Sequence, residues 1–211
     1  MKKHPGLWLS IVVFGLLFSH HSSANSNTND AVNLLVAPPA ATMPPPMPQN
    51  HPITSPRYGA TFSYVAKGLE PTSLHGFQFM LLYDPHWYWK QFNLYFDGGF
   101  SHFWVTDTPY YTTLNIYSIA PVLRYSFKKY GAVLPYVELS IGVAYLNHTR
   151  LDHRNLGMHF AFQDRVGVGI ALGKKEQFSL GMHAVHYSNA SLCSRNSGIT
   201  APLVVDMGYR F

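Results

Sequence analysis

From position 57 to the end, the chain repeats one pattern. Stretches of about ten residues alternate large apolar or aromatic side chains with Gly, Ala, Ser and a few charges, separated by turn residues. In a β-strand, alternate side chains point to opposite faces. In 88–104 the alternation sets Phe92, Leu94, Phe96 and Phe100 against Asn93, Asp97, Gly99 and Ser101. In 135–145 it sets Val137, Leu139, Ile141, Val143 and Tyr145 against Glu138, Ser140, Gly142 and Ala144. The large residues therefore form one face, and the small or charged ones form the other. A soluble barrel such as a lipocalin would point its large residues inward. Here the carboxylates share the face of the small residues, as expected when the apolar face meets lipid and the polar face lines a narrow interior.

Eight such strands are expected, over 58–66, 74–83, 88–104, 114–127, 135–145, 158–172, 178–189 and 203–211. The even count, and Trp87, Trp89, Trp104, Tyr110 and Tyr111 near strand ends, fit an antiparallel transmembrane β-barrel of the bacterial outer membrane. A terminal strand closing on Phe211 suits the same assembly. Charged residues make up 12% of the chain, about half the share of ordinary soluble domains. The net charge of +5 comes without a dense Lys/Arg stripe, which suggests anionic surfaces and excludes nucleic acid as a partner. The single Cys193 rules out an internal disulfide and any multi-cysteine metal site.

Three segments are expected. Residues 1–24 read as a cleaved signal peptide: Lys2 and Lys3, an apolar run over 6–18, then small residues at 22–24. Residues 25–56 carry Pro38, Pro39, Pro44, Pro45, Pro46, Pro48, Pro52 and Pro56, too dense for a sheet, and read as a disordered linker. Residues 57–211 form the barrel. Connections at 84–87, 128–131 and 173–176 are short and are expected to be periplasmic turns; those at 67–73, 105–113, 147–157 and 189–201 are longer and are expected outside.

The seventh strand carries the chemistry. Phe178, Leu180, Met182, Ala184, His186 and Ser188 share its apolar face, so a base and a nucleophile stand on the lipid side near the outer end. A serine hydroxyl needs a base to take its proton, and histidine titrates near working pH. The Asn189 amide, or the backbone N–H groups after it, can hold an oxyanion. Taken alone, a His-x-Ser pair is more often incidental than catalytic; polar groups on a lipid face call for a reason.

The segment His186-Tyr187-Ser188-Asn189-Ala190, followed by Asn196, Gly198 and the terminal Gly208-Tyr209-Arg210-Phe211, resembles the lipid A 3-O-deacylase family (PagL type). Phe160, Phe162 and Asp164 with Gly167-Val168-Gly169, and Pro135-Tyr136-Val137-Glu138 with Ile141-Gly142, are similar to it as well. The resemblance implies an outer-membrane esterase that removes the 3-position acyl chain of lipid A by a serine-hydrolase mechanism without metal or other cofactor. It implies Ser188 as nucleophile, His186 as general base, and Asn189 with the residue at 191 in the oxyanion hole. The sequence departs from the family at two positions. Ser191 stands where the family has a glycine, and Thr200 where it has the glutamate of the triad. Asp164, in the outward set of its strand, and Asp206, whose parity points into the lumen, are the candidate acids.

Lipid A and the surrounding lipid are the expected partners, with a homodimer among the open assemblies. Two other readings remain: a non-enzymatic structural or adhesive barrel, and another outer-leaflet acyl hydrolase or acyltransferase. Asp97, Arg124, Glu138, Asp206 and Arg210 are expected to form a lumenal polar network. His148, Arg150, His153 and Arg154 share one loop, which reads equally as a solvated loop or as a contact for lipid A phosphates. His75, His86, His102, His159 and His183 lack metal-ligand spacing.

Overall fold

The computed structural model describes residues 56–211. The expected signal peptide and almost all of the expected linker lie outside the described residues. Strands β1 (Tyr58–Lys67), β2 (Leu74–Trp89), β3 (Phe92–Val105), β4 (Thr113–Ser126), β5 (Val133–Leu146), β8 (Phe160–Leu172), β9 (Phe178–Ser188) and β10 (Ile199–Arg210) close into one antiparallel barrel. Each pairs with its neighbour in sequence, and β1 meets β10 from Gly59↔Arg210 to Val65↔Val204. Two two-residue strands, β6 (Arg150–Leu151) and β7 (Arg154–Asn155), pair with each other inside the β5–β8 connection. Closure satisfies every edge. That is decisive in a bilayer, where an unpaired backbone group costs several kcal/mol.

The alternation lands as expected. Phe62, Phe79, Leu81, Ile119, Val166, Val168, Leu180, Met182, Val205 and Met207 are exposed on the outside. They form a lipid-facing belt, with exposed Trp87 and Trp89 at the end of the short turns and Tyr110 and Tyr111 at the end of the long loops. Inward residues sort by height. Toward the short turns the lumen is polar. Arg124 bonds Glu138 (2.6 Å) and lies 3.9 Å from the centre of the Tyr136 ring; Arg165 pairs with Asp97, and Arg210 with Asp84 (2.8 Å). Toward the long loops it is apolar: Phe103, Leu114, Ile116, Leu146, Tyr187 and Ile199 pack with Leu151 and Leu156 from the β5–β8 connection. The expected charged network therefore lies in one half of the interior, while the other half packs apolar side chains around the hydrogen-bonded Gln78, Ser101 and Gln163. That half is plugged by side chains and by a loop folded into the mouth.

Two boundaries differ from the sequence reading. The expected turn at 84–87 is a bulge inside β2, and the chain turns instead at Lys90 and Gln91. Asp84 is fully buried, accepts the His86 N–H (2.8 Å) and pairs with Asn93 and Arg210, so Asp-Pro bends the strand without ending it. The last strand starts at Ile199, not at 203. A register shift between Ala201 and Val204 absorbs Pro202, as a bulge accommodates a residue that cannot donate to the ladder.

Candidate active site

Strand β9 delivers His186 and Ser188 to the outer wall. Its burial alternates, with Phe178, Leu180 and Met182 exposed and His183, Val185 and Tyr187 buried in the lumen. His186 and Ser188 continue the outward row, about 7 Å apart along the strand at the usual rise. Inward-pointing Tyr187 locks the strand from behind: its hydroxyl donates to Gln163 Oε1 (3.1 Å) and accepts from Gln78 Nε2 (3.0 Å). Although it points outward, Ser188 is only 7% exposed; across β8–β9 it pairs with Phe162. Among the described residues no hydrogen bond joins Ser188 to His186. Such pairs often align fully only around substrate.

The imidazole is held on several sides. Asp164 is its direct partner across β8–β9, and Thr200 its direct partner across β9–β10. His186 Nδ1 lies 2.8 Å from Thr200 Oγ1. Thr200 Oγ1 in turn donates to Glu70 Oε2 (3.1 Å) in the β1–β2 loop. Gly198, in the left-handed region at φ 66°, backs onto the ring; a Cβ there would sit 2.9 Å from His186 Cε1. Arg154 on β7 ties the surround together. Its guanidinium donates to the carbonyls of Gly198 (2.9 Å) and Ser197 and pairs with Glu70 Oε2 (2.9 Å). Three connections thus meet at His186. Of the basic loop cluster, Arg154 is a structural tie, while Arg150 lies against Tyr111.

The candidate acids separate. Asp164 is on the outward face beside His186, as its parity suggests. Asp206 faces the lumen and holds His183 Nδ1 (2.8 Å), whose Nε2 lies 3.1 Å from Gln78 Oε1. The barrel wall separates Asp206 from His186, so it does not reach the outward site.

Asn189 and Ser191 also take other tasks. Asn189 is fully buried, and its side-chain amide donates to the carbonyls of Leu156 (2.5 Å) and Arg195 (2.8 Å). Its Oδ1 accepts the Ser191 N–H (2.9 Å), and its own N–H goes to Asn196 Oδ1 (2.9 Å). In this arrangement both expected oxyanion donors bracket the β9–β10 loop instead. Ala190 and Ser191 adopt left-handed backbone (φ 51° and 65°), which turns the chain sharply after Ser188. Among the described residues no group of three or more His, Cys, Asp or Glu side chains could hold a metal ion.

The residue missed from sequence is Glu70. The candidate acids, Asp164 and Asp206, belong to the strands beside β9, whereas this carboxylate lies in the β1–β2 loop, 130 positions before Thr200. The available signal was topological. In a closed barrel the loop after the first strand adjoins the start of the last, and the chain has only ten carboxylates to consider.

Comparison with known proteins matches residues 75–209 to the family model described as lipid A 3-O-deacylase (PagL). The lipid A deacylase PagL of Pseudomonas aeruginosa (strain PAO1) is 42% identical over 82 residues, covering 39% of this chain and 46% of the relative. The matched stretch thus spans about half the length of that curated relative. The crystal structure of the outer membrane enzyme PagL superimposes with a TM-score of 0.62 at 27% identity, over 72% of this chain and 99% of that one. Neisserial surface protein A matches with a TM-score of 0.48 at 16% identity, over 73% and 96% of the two chains.

Proposed function

The chain belongs to the lipid A 3-O-deacylase (PagL) family, and on that premise we propose that it is an outer-membrane esterase hydrolysing the 3-O-linked acyl chain of lipid A. The observation that carries this reading is the placement of His186 and Ser188 on the lipid-facing wall, within the family match. An ester in the surrounding leaflet is the bond such a pair can reach without its substrate leaving the bilayer. Ser188 Oγ attacks the acyl carbonyl while His186 Nε2 takes its proton. The tetrahedral intermediate collapses as His186 returns that proton to the departing 3-oxygen, leaving an acyl-serine and a free hydroxyl on lipid A. Water then attacks the acyl-serine, with His186 again as base, and the free fatty acid departs. The backbone amides of the turn after Ser188 would be the donors to the developing oxyanion. Recruiting Asn189 or Ser191 there requires exchanging bonds they now make within the loop.

On this reading the long loops face the cell surface, which puts the site in the lipopolysaccharide leaflet. Residues 1–24 act as the export signal, and 25–56 form a linker ahead of the barrel. The test is mass spectrometry of lipid A from cells producing the wild-type protein or Ser188→Ala. The wild type should remove one 3-hydroxyacyl chain and the variant none. Unchanged lipid A with a correctly folded wild-type barrel would sink the reading, and a gain in mass would indicate an acyltransferase.

A further inference from the structure

A serine–histidine pair needs its imidazole in one tautomer, with Nδ1 protonated and Nε2 open to the serine. Among the described residues, the hydrogen-bond partner of His186 Nδ1 is the Thr200 hydroxyl, at 2.8 Å. A hydroxyl can donate or accept, so Thr200 by itself selects neither tautomer. Glu70 removes the ambiguity. A carboxylate only accepts, and Glu70 Oε2 takes the Thr200 hydroxyl proton at 3.1 Å. The Thr200 oxygen must then accept from Nδ1, which leaves Nε2 as the base.

We propose that Glu70 is a positioning residue of this site, acting on His186 through the Thr200 hydroxyl, so that a two-residue relay stands in place of a directly bonded acid. The proposal rests on the reading of His186 as the general base. The backbone builds the relay as firmly as the side chains do. Glu70 N–H donates to Thr200 O (3.1 Å) and Thr200 N–H to Glu70 O (2.9 Å), so the carboxylate and the hydroxyl are held in register. Arg154 clamps the same Oε2 while holding the carbonyl of Gly198, the residue behind the ring. Asp164 faces His186 from β8, the opposite side, and Nδ1 is already committed toward β10. When the imidazole becomes imidazolium, both bonds of the relay strengthen in the same direction.

The Glu70 side chain is 38% exposed, so solvent weakens its hold. The expected loss is therefore roughly 10- to 100-fold in kcat, short of the roughly 10⁴-fold seen when a buried, directly bonded acid is removed. The experiment uses the full-length protein folded in detergent micelles with purified lipid A as substrate. Glu70→Gln and Thr200→Val should each lower kcat by that amount with KM within about twofold, and the double variant should fall no further, because the two act as one unit. Thr200→Ser, which keeps the hydroxyl, should recover most of the rate. Long-range ¹H–¹⁵N spectra of His186 report the tautomer without reference to turnover. Nδ1–H should dominate in the wild type and give way to a mixture in both single variants. Heat-modifiable electrophoresis confirms that each barrel is closed. Additive losses, or an unchanged tautomer in well-folded variants, would overturn the relay. Full activity of Ser188→Ala would instead overturn the reading of the site, and the tautomer measurement would still decide the relay.

Discussion

Gly198 is where one atom decides the orientation of the base. Its φ of 66° favours glycine, and the space a Cβ would take is 2.9 Å from His186 Cε1. Gly198→Ala should therefore push the ring toward Asp164 and stretch its contact with Thr200. We expect deacylation to fall by about tenfold or more while the barrel stays folded, since a shift near 1 Å at a reacting group can cost about 10²-fold. Lipid A mass spectrometry beside a heat-modifiability gel separates the two effects. At this scale the sequence was readable for His186 and Ser188, because strand parity fixes a face whatever the rest of the chain does. Parity also kept Asp206 away from the site. It gave nothing for Asn189, whose bonds to Leu156 and Arg195 depend on where a distant loop lies.

Among the elements, the β5–β8 connection departs most from a solvated loop. It carries its own small hairpin, sends Leu151 and Leu156 into the apolar end of the lumen, and brings Arg154 to the site. Truncating a fully buried leucine leaves a cavity. Leu156→Ala should cost about 2–5 kcal/mol locally, read as a lower melting temperature of the folded barrel and earlier proteolysis of this connection. Activity should fall with it, because the Asn189 amide loses its register with the Leu156 carbonyl. The alternating strands announced themselves in sequence. The hairpin did not: two residues per strand are too few to show a period. Asp84-Pro85 misled for the opposite reason, since a strong turn signal was overridden by the buried partners of Asp84.

The barrel formed by the described residues is filled. Ion pairs occupy the half near the short turns and hydrocarbon the half near the long loops, so planar bilayers containing the protein should show no discrete conductance. Asp97→Ala would leave Arg165 without its carboxylate partner in the interior. We expect that to destabilise the barrel by about 3–5 kcal/mol, seen in urea unfolding from micelles, with the position of the lipid-facing site unchanged. The fold class was legible in full because closure and alternation are global regularities. The completed site was not, because its parts come from both chain ends. The pairing of β1 with β10 has a further meaning for the life of the protein. Until those strands zip together, Glu70 and Thr200 sit at opposite margins of an open sheet, and His186 has no fixed proton. On the proposed reading, a barrel whose β1 and β10 have not yet paired would lack the relay and hydrolyse its ester roughly 10- to 100-fold more slowly, so closure of the barrel would also complete the site.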